Sequence, residues 1–529
     1  MDFANRGFTG KKACGSIPLA LSLLLALAAV IFPQAACPQN AKAASPSYRF
    51  AARAEALLGG NPASKGEWGL LIIDAASGEV LFEKNAASYF VPASNMKLLT
   101  TALALDKLGL NYRFRTTVET DGSLSPAGLL TGNLILVGRG DPNLSNRKFP
   151  LDTKEEFEGP PDKALAELAD QIAARGVKEI SGDIVGDDSY FPRERYPDGW
   201  EIDDMVWPYG AAISAIVVDD NTVTLTLTPG EKSGDSAVAL VEPATPDFTL
   251  KNEVVTSGAK EKADLRLTRE PGAQTVVLTG TLPAKSTPRK LVLAIEEPAQ
   301  HAASLLAQLL VDRGVKFNGK IRALHEPDPA ETSRTVLVEH LSLPLGDTVK
   351  LVNKISQNLH SEVLLRAAAR QQGRWVSPED LLKFPQEFYT RAGIAEDDVI
   401  QTDGSGLSRH DLVTPRALVA LLQFARLQPW FPAYYGSLPI AGVDGTLNER
   451  MKNSLITGRI HAKTGSVSHV RTLSGYADAP GGRRLIFSFL SNNQAGRNHE
   501  TYDVLDGLCE AMIEEFDGAP AGTPTTPQE

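Results

Sequence analysis

One discontinuity constrains this chain more than any motif. From about Asn111 to Leu343 it reads as a succession of short strand-like runs, residues 223–228, 275–282 and 290–295 among them, broken by Gly and Pro. On either side the character is mixed helix and strand. Before the break, residues 68–74 and 79–83 read as a hairpin about the turn 76–78, and a helix runs from near Ser94 through Leu98, Leu99, Ala102 and Leu105 to a stop at Gly109. After it, residues 350–371 read as helix, 471–476 and 485–490 as strands, and Val504, Leu505, Leu508, Met512, Ile513 and Phe516 mark one face of a last helix. The two ends therefore make one α+β domain, and the middle is inserted into it. A chain of 529 residues is long enough for several cores.

Within the middle stretch two helices end alike, in Arg175-Gly176-Val177-Lys178 and Arg313-Gly314-Val315-Lys316. Each glycine suits the left-handed position that closes a helix before a strand. Two similar corners account for this without a duplication.

The first segment has another origin. Arg6, Lys11 and Lys12 precede an apolar run over 17–32, followed by Ala41-Lys42-Ala43, the pattern of a signal peptide cleaved near Ala44. The run is shorter than the roughly 20 residues of a spanning helix, so at most peripheral membrane association is expected of the mature chain. The net charge of −11 becomes more negative once the leader is lost, which argues against nucleic acid as a partner. Cys14 and Cys37 would leave with the leader, and Cys509 alone forms no internal disulfide. Export without disulfides fits a bacterial periplasm or cell envelope. The Pro- and Thr-rich tail over 517–529 reads as disordered.

Three short elements carry chemistry. Ser94 and Lys97 stand at i and i+3, which places a hydroxyl beside an amine on one helix face. Alone, this spacing equally describes a helix cap and a solvated lysine. Ser356-Gln357-Asn358 follows in a helical region, and Lys463-Thr464-Gly465-Ser466 follows a strand-like run. Ser-x-x-Lys, Ser-x-Asn and Lys-Thr-Gly in that order form the motif set of penicillin-recognising serine enzymes. Lys232-Ser233-Gly234 also fits the third element, but it precedes Ser356 and lies in a turn.

On these elements the chain resembles the class C low-molecular-mass penicillin-binding proteins, which are D-alanyl-D-alanine carboxypeptidases and endopeptidases. The segments 137–142 (Val-Gly-Arg-Gly-Asp-Pro), 403–409 (Asp-Gly-Ser-Gly-Leu-Ser-Arg) and 438–447 (Leu-Pro-Ile-Ala-Gly-Val-Asp-Gly-Thr-Leu) support it, as does the long insert. Gln357 stands where the family often has Asp, and His410-Asp411 replaces a commoner Asn-containing run.

The resemblance implies a transpeptidase-like core, an antiparallel sheet with helices, over 44–110 and 344–516. It implies two inserted β-rich domains, one over 111–235 and 320–343 and a second nested at 236–319. It implies Ser94 as the nucleophile that β-lactams acylate, Lys97 as its base, and Ser356 and Lys463 as a proton relay. Asn358, Thr464, Gly465 and Ser466 would bind peptidoglycan stem peptide, with the backbone amides of Ser94 and Ser466 as oxyanion donors. Arg409 and Asp187 would reach the charged end of a meso-diaminopimelate side chain. A base at Lys97 needs a pKa well below the usual lysine range, expected from burial and from repulsion by Lys463. No cofactor or metal is implied.

Other readings are weaker. A Ser-His-Asp hydrolase has candidate histidines in His360, His410 and His461 but no Gly-x-Ser-x-Gly elbow, and no His-Glu-x-x-His element supports a metallopeptidase. A β-lactamase would share the site and differ in fast deacylation. A non-catalytic peptidoglycan-binding module would not need all six motif side chains.

Overall fold

The computed structural model describes residues 45–60, 63–148, 159–327, 333–373, 377–453, 455–495 and 498–518. The expected leader with Cys14 and Cys37, and residues 519–529 of the tail, lie outside them.

The two ends of the chain build one five-stranded antiparallel sheet in the order Val80–Lys84, Glu67–Asp74, Arg484–Asn492, Val470–Asp478, Ile460–Val467. Alternate side chains of a strand point to opposite faces, and here both faces are covered, so the runs are apolar without alternation. Leu70 and Ile72 join a core with Phe487 and Phe489 beneath the helices Pro46–Gly59 and Asn498–Glu515. Leu71 and Ile73 face the opposite core, made with the helices Met96–Leu108 and Pro415–Ala425. Truncating a fully buried Leu or Phe such as Leu98 or Phe487 to Ala should cost about 2–5 kcal/mol.

The helix Met96–Leu108 lies inside the domain. Its first ten residues are buried, which explains its apolar circumference and makes Lys97 conspicuous as a fully buried amine. The stretch expected to be helical over 350–371 is two helices, Leu345–Lys354 and Asn358–Gln371. They are interrupted at Ser356, whose φ is +61°.

The middle of the chain forms a second five-stranded sheet, Ile321–Leu324, Ile184–Asp187, Leu134–Val137, Arg115–Thr120, Thr335–Leu341, parallel in its first three strands and antiparallel in the rest. The helices Lys163–Ala174 and Pro298–Asp312 share its core. The two similar corners lie side by side: Gly176 and Gly314 close their helices at φ +86° and +79°, and the short strands that follow pair in parallel. Two three-stranded sheets, one of Val238–Glu242, Thr222–Thr228 and Arg289–Ala294, the other of Thr249–Ser257, Thr275–Pro283 and Asp264–Arg269, enclose a separate core around Val223, Leu225, Val276 and Leu293.

These pairings differ from the expected nested limits of 236–319. Residue 236 falls in the connection between two strands that pair from Val238↔Thr228 to Glu242↔Thr224, and helix Pro298–Asp312 packs with the larger sheet. The Gly- and Lys-containing turn before Ser236 is a hairpin, which in sequence looks like a linker.

Candidate active site

Ser94 sits in a single 3-10 turn, Ala93–Asn95, that opens into the buried helix. Ala93 is fully buried at φ +47°, a backbone state unfavourable for a residue with a Cβ. Thr472 holds the turn in place: its Oγ1 donates to Pro92 O at 2.8 Å and accepts from Asn95 Nδ2. A Cβ at Gly465 would lie 2.0 Å from Thr472 Oγ1, 2.8 Å from Pro92 O and 3.1 Å from Ser94 N. The glycine of the Lys-Thr-Gly element thus lets the strand Ile460–Val467 lie against the backbone of Ser94.

Lys97 Nζ donates to Ser94 Oγ at 2.8 Å, to Asn358 Oδ1 at 2.7 Å and to Ser405 O at 2.7 Å. Burial, the largest influence, pulls its pKa down to about 7, against Asp403, Glu362 and Asp411, which favour the charge. Lys463, equally buried, donates to Ser356 Oγ and to Thr464 O, each at 2.9 Å. Burial and the neighbouring Lys97 charge push Lys463 well below the usual lysine range. The repulsion expected to lower Lys97 bears on Lys463 instead: burial lowers Lys97 against three acids, whereas no carboxylate favours the Lys463 charge.

The structure brings these residues together as two hydrogen-bonded groups, Ser94–Lys97–Asn358 and Ser356–Lys463. Ser94, Ser356, Asn358, Ser466 and Arg409 line a cavity of about 650 Å³. Thr464 Oγ1 lies 2.7 Å from Thr446 Oγ1. Arg409 donates from Nε to Glu201 at 2.9 Å and from Nη2 to Ser468 O at 3.0 Å. Asp187 is not brought to this cavity. It is buried, accepts from Arg334 Nη1 at 2.6 Å, and lines a different cleft with Arg139 and Arg370. Its place at the end of an inserted strand fixes that location; the acidic side chains that share the Ser94 cavity are Glu201 and Asp204. Lys232 lies in an exposed turn between inserted strands. His360 contacts Asp220, and His461 stacks on Tyr435, away from Ser94.

Sequence reasoning passed over several contributors. Asp403 accepts from the backbone N–H of Ser405, Gly406 and Ser408 at 3.0, 2.5 and 2.7 Å and from the Trp200 indole at 2.9 Å, shaping the loop whose carbonyl holds Lys97. Asp444 accepts from the buried Lys354 at 2.6 and 2.7 Å and so fixes the loop carrying Thr446. Both lie in segments that had supported the resemblance, and their hydrogen bonds explain why an acid and glycines stand there. Asn358 also donates from Nδ2 to Tyr209 O at 2.8 Å, so the insert forms part of the cavity wall.

The sequence model described as "D-Ala-D-Ala carboxypeptidase 3 (S13) family" matches residues 51–511. A D-alanyl-D-alanine carboxypeptidase of Actinomadura sp. (strain R39) is 33% identical over 439 residues, covering 81% of this chain and 78% of that protein. A crystal structure of penicillin binding protein 4 from Haemophilus influenzae superposes with a TM-score of 0.77 at 24% identity, covering 88% of this chain and 99% of that one. A second structure of the same protein, complexed with a β-lactam, gives a TM-score of 0.71 at 25% identity over 88% and 99% of the two chains.

Proposed function

The chain belongs to the D-Ala-D-Ala carboxypeptidase 3 (S13) family and is a serine-type D-alanyl-D-alanine carboxypeptidase, and on that premise we propose how its residues divide the work. One observation carries the proposal. Of the three partners of Lys97 Nζ, Asn358 Oδ1 and Ser405 O can only accept hydrogen bonds. A neutral Lys97 keeps two N–H donors for them, and its lone pair is left facing the Ser94 hydroxyl. With a pKa near 7, that neutral form is populated at working pH.

Ser94 Oγ attacks the carbonyl of the penultimate D-alanine while its proton passes to Lys97 Nζ. The C–N bond then breaks, and the proton taken up by Lys97 passes by way of the Ser356 hydroxyl, which Lys463 holds, to the leaving amine, so that Lys97 is neutral again for the attack of water. Water hydrolyses the resulting ester and frees Ser94. The backbone N–H groups of Ser94 and Ser466 receive the oxyanion, each worth about 3 kcal/mol in comparable sites. Thr464 binds the terminal carboxylate, and Asn358 orients the acyl-side amide. Arg409 suits a carboxylate on the stem-peptide side chain, where a planar fork binds more tightly than a point charge. β-Lactams enter by the same attack and leave the acyl group on Ser94.

Peptidoglycan lies outside the cytoplasm, in keeping with export by residues 1–43. Among the described residues no helix is long and apolar enough to cross a membrane. The three bodies of sheet suggest a division into a catalytic part, a larger insert and a nested one.

Intact-mass measurement after benzylpenicillin, and then release of D-alanine from a synthetic pentapeptide, tests the assignment. The parent should gain one acyl group and Ser94→Ala none. Acylation of Ser94→Ala would overturn it.

A further inference from the structure

The Ser356–Asn358 element lies at the break between two helices, with Ser356 in the left-handed region. Lys463 holds Ser356 and Lys97 holds Asn358. The residue between them, Gln357, is held from the insert: its Nε2 donates to Asp220 Oδ2 at 3.0 Å. Within the next helical turn, the buried His360 places Nε2 3.0 Å from Asp220 Oδ1. Arg147, also from the insert, donates from Nε to Asp220 Oδ2 at 2.6 Å. A single carboxylate thus gathers one side chain of the catalytic element, one of the helix that continues from it and one cation of the insert.

Asp220 is itself built for this contact. It is buried, which alone would raise its pKa, yet His360 and Arg147 outweigh burial and hold the carboxylate well below its usual range. Asp219, Asp220 and Asn221 stand in succession at φ +49°, +49° and +57°. Asp and Asn tolerate this region better than other side chains, but three in a row persist only where the surroundings over-determine them. Ser145 Oγ accepts from Asp220 N at 2.9 Å, and Asn221 Nδ2 donates to Ala212 O at 2.9 Å. Strained backbone on both sides of one hydrogen bond marks a contact whose geometry, more than its strength, is the point.

We infer that Asp220 is a positioning residue for the reaction: from the insert it sets the Ser356-Gln357-Asn358 element so that Ser356 Oγ meets Lys463 and Asn358 Oδ1 meets Lys97. The inference rests on the roles proposed above for Ser356 and Asn358. A carboxylate that merely glued the insert to the core would affect stability and leave acylation of the folded protein alone.

The test compares full-length parent, Asp220→Asn, Gln357→Ala, the double variant and Ser356→Ala, with benzylpenicillin acylation followed by intact mass over a range of concentrations. Asp220→Asn should lower the acylation rate constant about 10–100-fold, the scale of a misplaced reacting group, while the apparent dissociation constant for the drug stays close to the parent's. Gln357→Ala should fall in the same direction, and the double variant should be no slower than the slower single one, since coupled side chains do not add. If Ser356→Ala is impaired and Asp220→Asn acylates at the parent's rate, the inference is wrong and the catalytic reading stands. If Ser356→Ala itself acylates like the parent, the reading fails and takes the inference with it. Should Asp220→Asn not fold, Gln357→Ala decides: it leaves the contacts of Asp220 with Arg147 and His360 in place, and parent-like acylation there overturns the inference.

Discussion

On the helix side of the cavity Lys97 is fully buried and reaches one serine; on the sheet side Lys463 is fully buried and reaches another. Burial is the same, and what differs is the company. Behind Lys97 stand Asp403, Glu362 and Asp411, while Lys463 has no carboxylate among its influences and only Lys97 as a charged neighbour. The difference teaches that burial alone makes a neutral amine of no particular pKa, and that a few acids set behind one of the two return it to the neutral range. An amine near 7 can both take and give a proton at working pH. Lys463 is held well below the usual lysine range by burial and by the Lys97 charge, and it donates to the two acceptors it contacts, Ser356 Oγ and Thr464 O.

The sharpest way to break this comparison is to forbid one amine its neutral state. Lys97→Arg keeps a positive charge that cannot be given up at working pH, and acylation by benzylpenicillin should fall by about 10³-fold or more, the upper range for loss of a positioned base. A folded Lys97→Arg variant acylated at nearly the parent's rate would move the base elsewhere, with Lys463 acting through Ser356 the first candidate. Lys463→Met should cost less, about 10²-fold, and it carries a second readout. Because Lys97 is lowered by burial, which this change leaves in place, the midpoint of the pH–acylation profile should stay where the parent has it; a clear upward move would mean that the Lys463 charge had been holding the Lys97 pKa down.

The smallest effect concerns the acids. Acylation of the parent should be weak at pH 5–6 and rise with pH through about 7, since the proton-free form of Lys97 is the active one. The same lowered pKa means that the unfolded chain binds a proton the folded one lacks between about 7 and 10.5, so stability rises with pH across that window. Glu362→Gln removes one acid that favours the Lys97 charge and should move the acylation midpoint down by a fraction of a unit. The shift stays small because burial raises Glu362 itself to about 7 and leaves it partly protonated. An upward shift would contradict the account of the helix side.

The difference between the two sides also explains what could be read in advance. Ser94 with Lys97, and Lys463 with Thr464 and Gly465, lie within a few residues of each other along the chain, so their proximity is written in their spacing. The break at Ser356 was hidden because the apolar periodicity of Leu345, Val349, Val352, Leu359 and Val363 runs straight through it, all five being buried. Asp187 was misplaced because a strand end in the insert gives no hint of which cleft it borders. Asp220 acts on Gln357 and His360, Asp444 on Lys354, and Asp403 on Trp200 as well as on its own loop, and an isolated Asp in a loop looks like any solvated turn residue. Ser-x-x-Lys declares itself; the acids that tune it do not.

The pairing of Glu67–Asp74 with Arg484–Asn492 has a temporal consequence. Ser94 is synthesised early, but the strand that closes the sheet beside it arrives only after the whole insert has been made. Contacts between such distant residues form late, because loop closure must precede them. Until then Leu70 and Ile72 lack the Phe487 and Phe489 they pack with, and Ser94 lacks the Thr472 that shapes its turn. The insert, whose own sheets close over shorter loops, can fold first. On this topology the contacts that shape the Ser94 turn depend on the last strands finding the first, so a chain cut before Val470 should lack acylation by benzylpenicillin even if its insert folds.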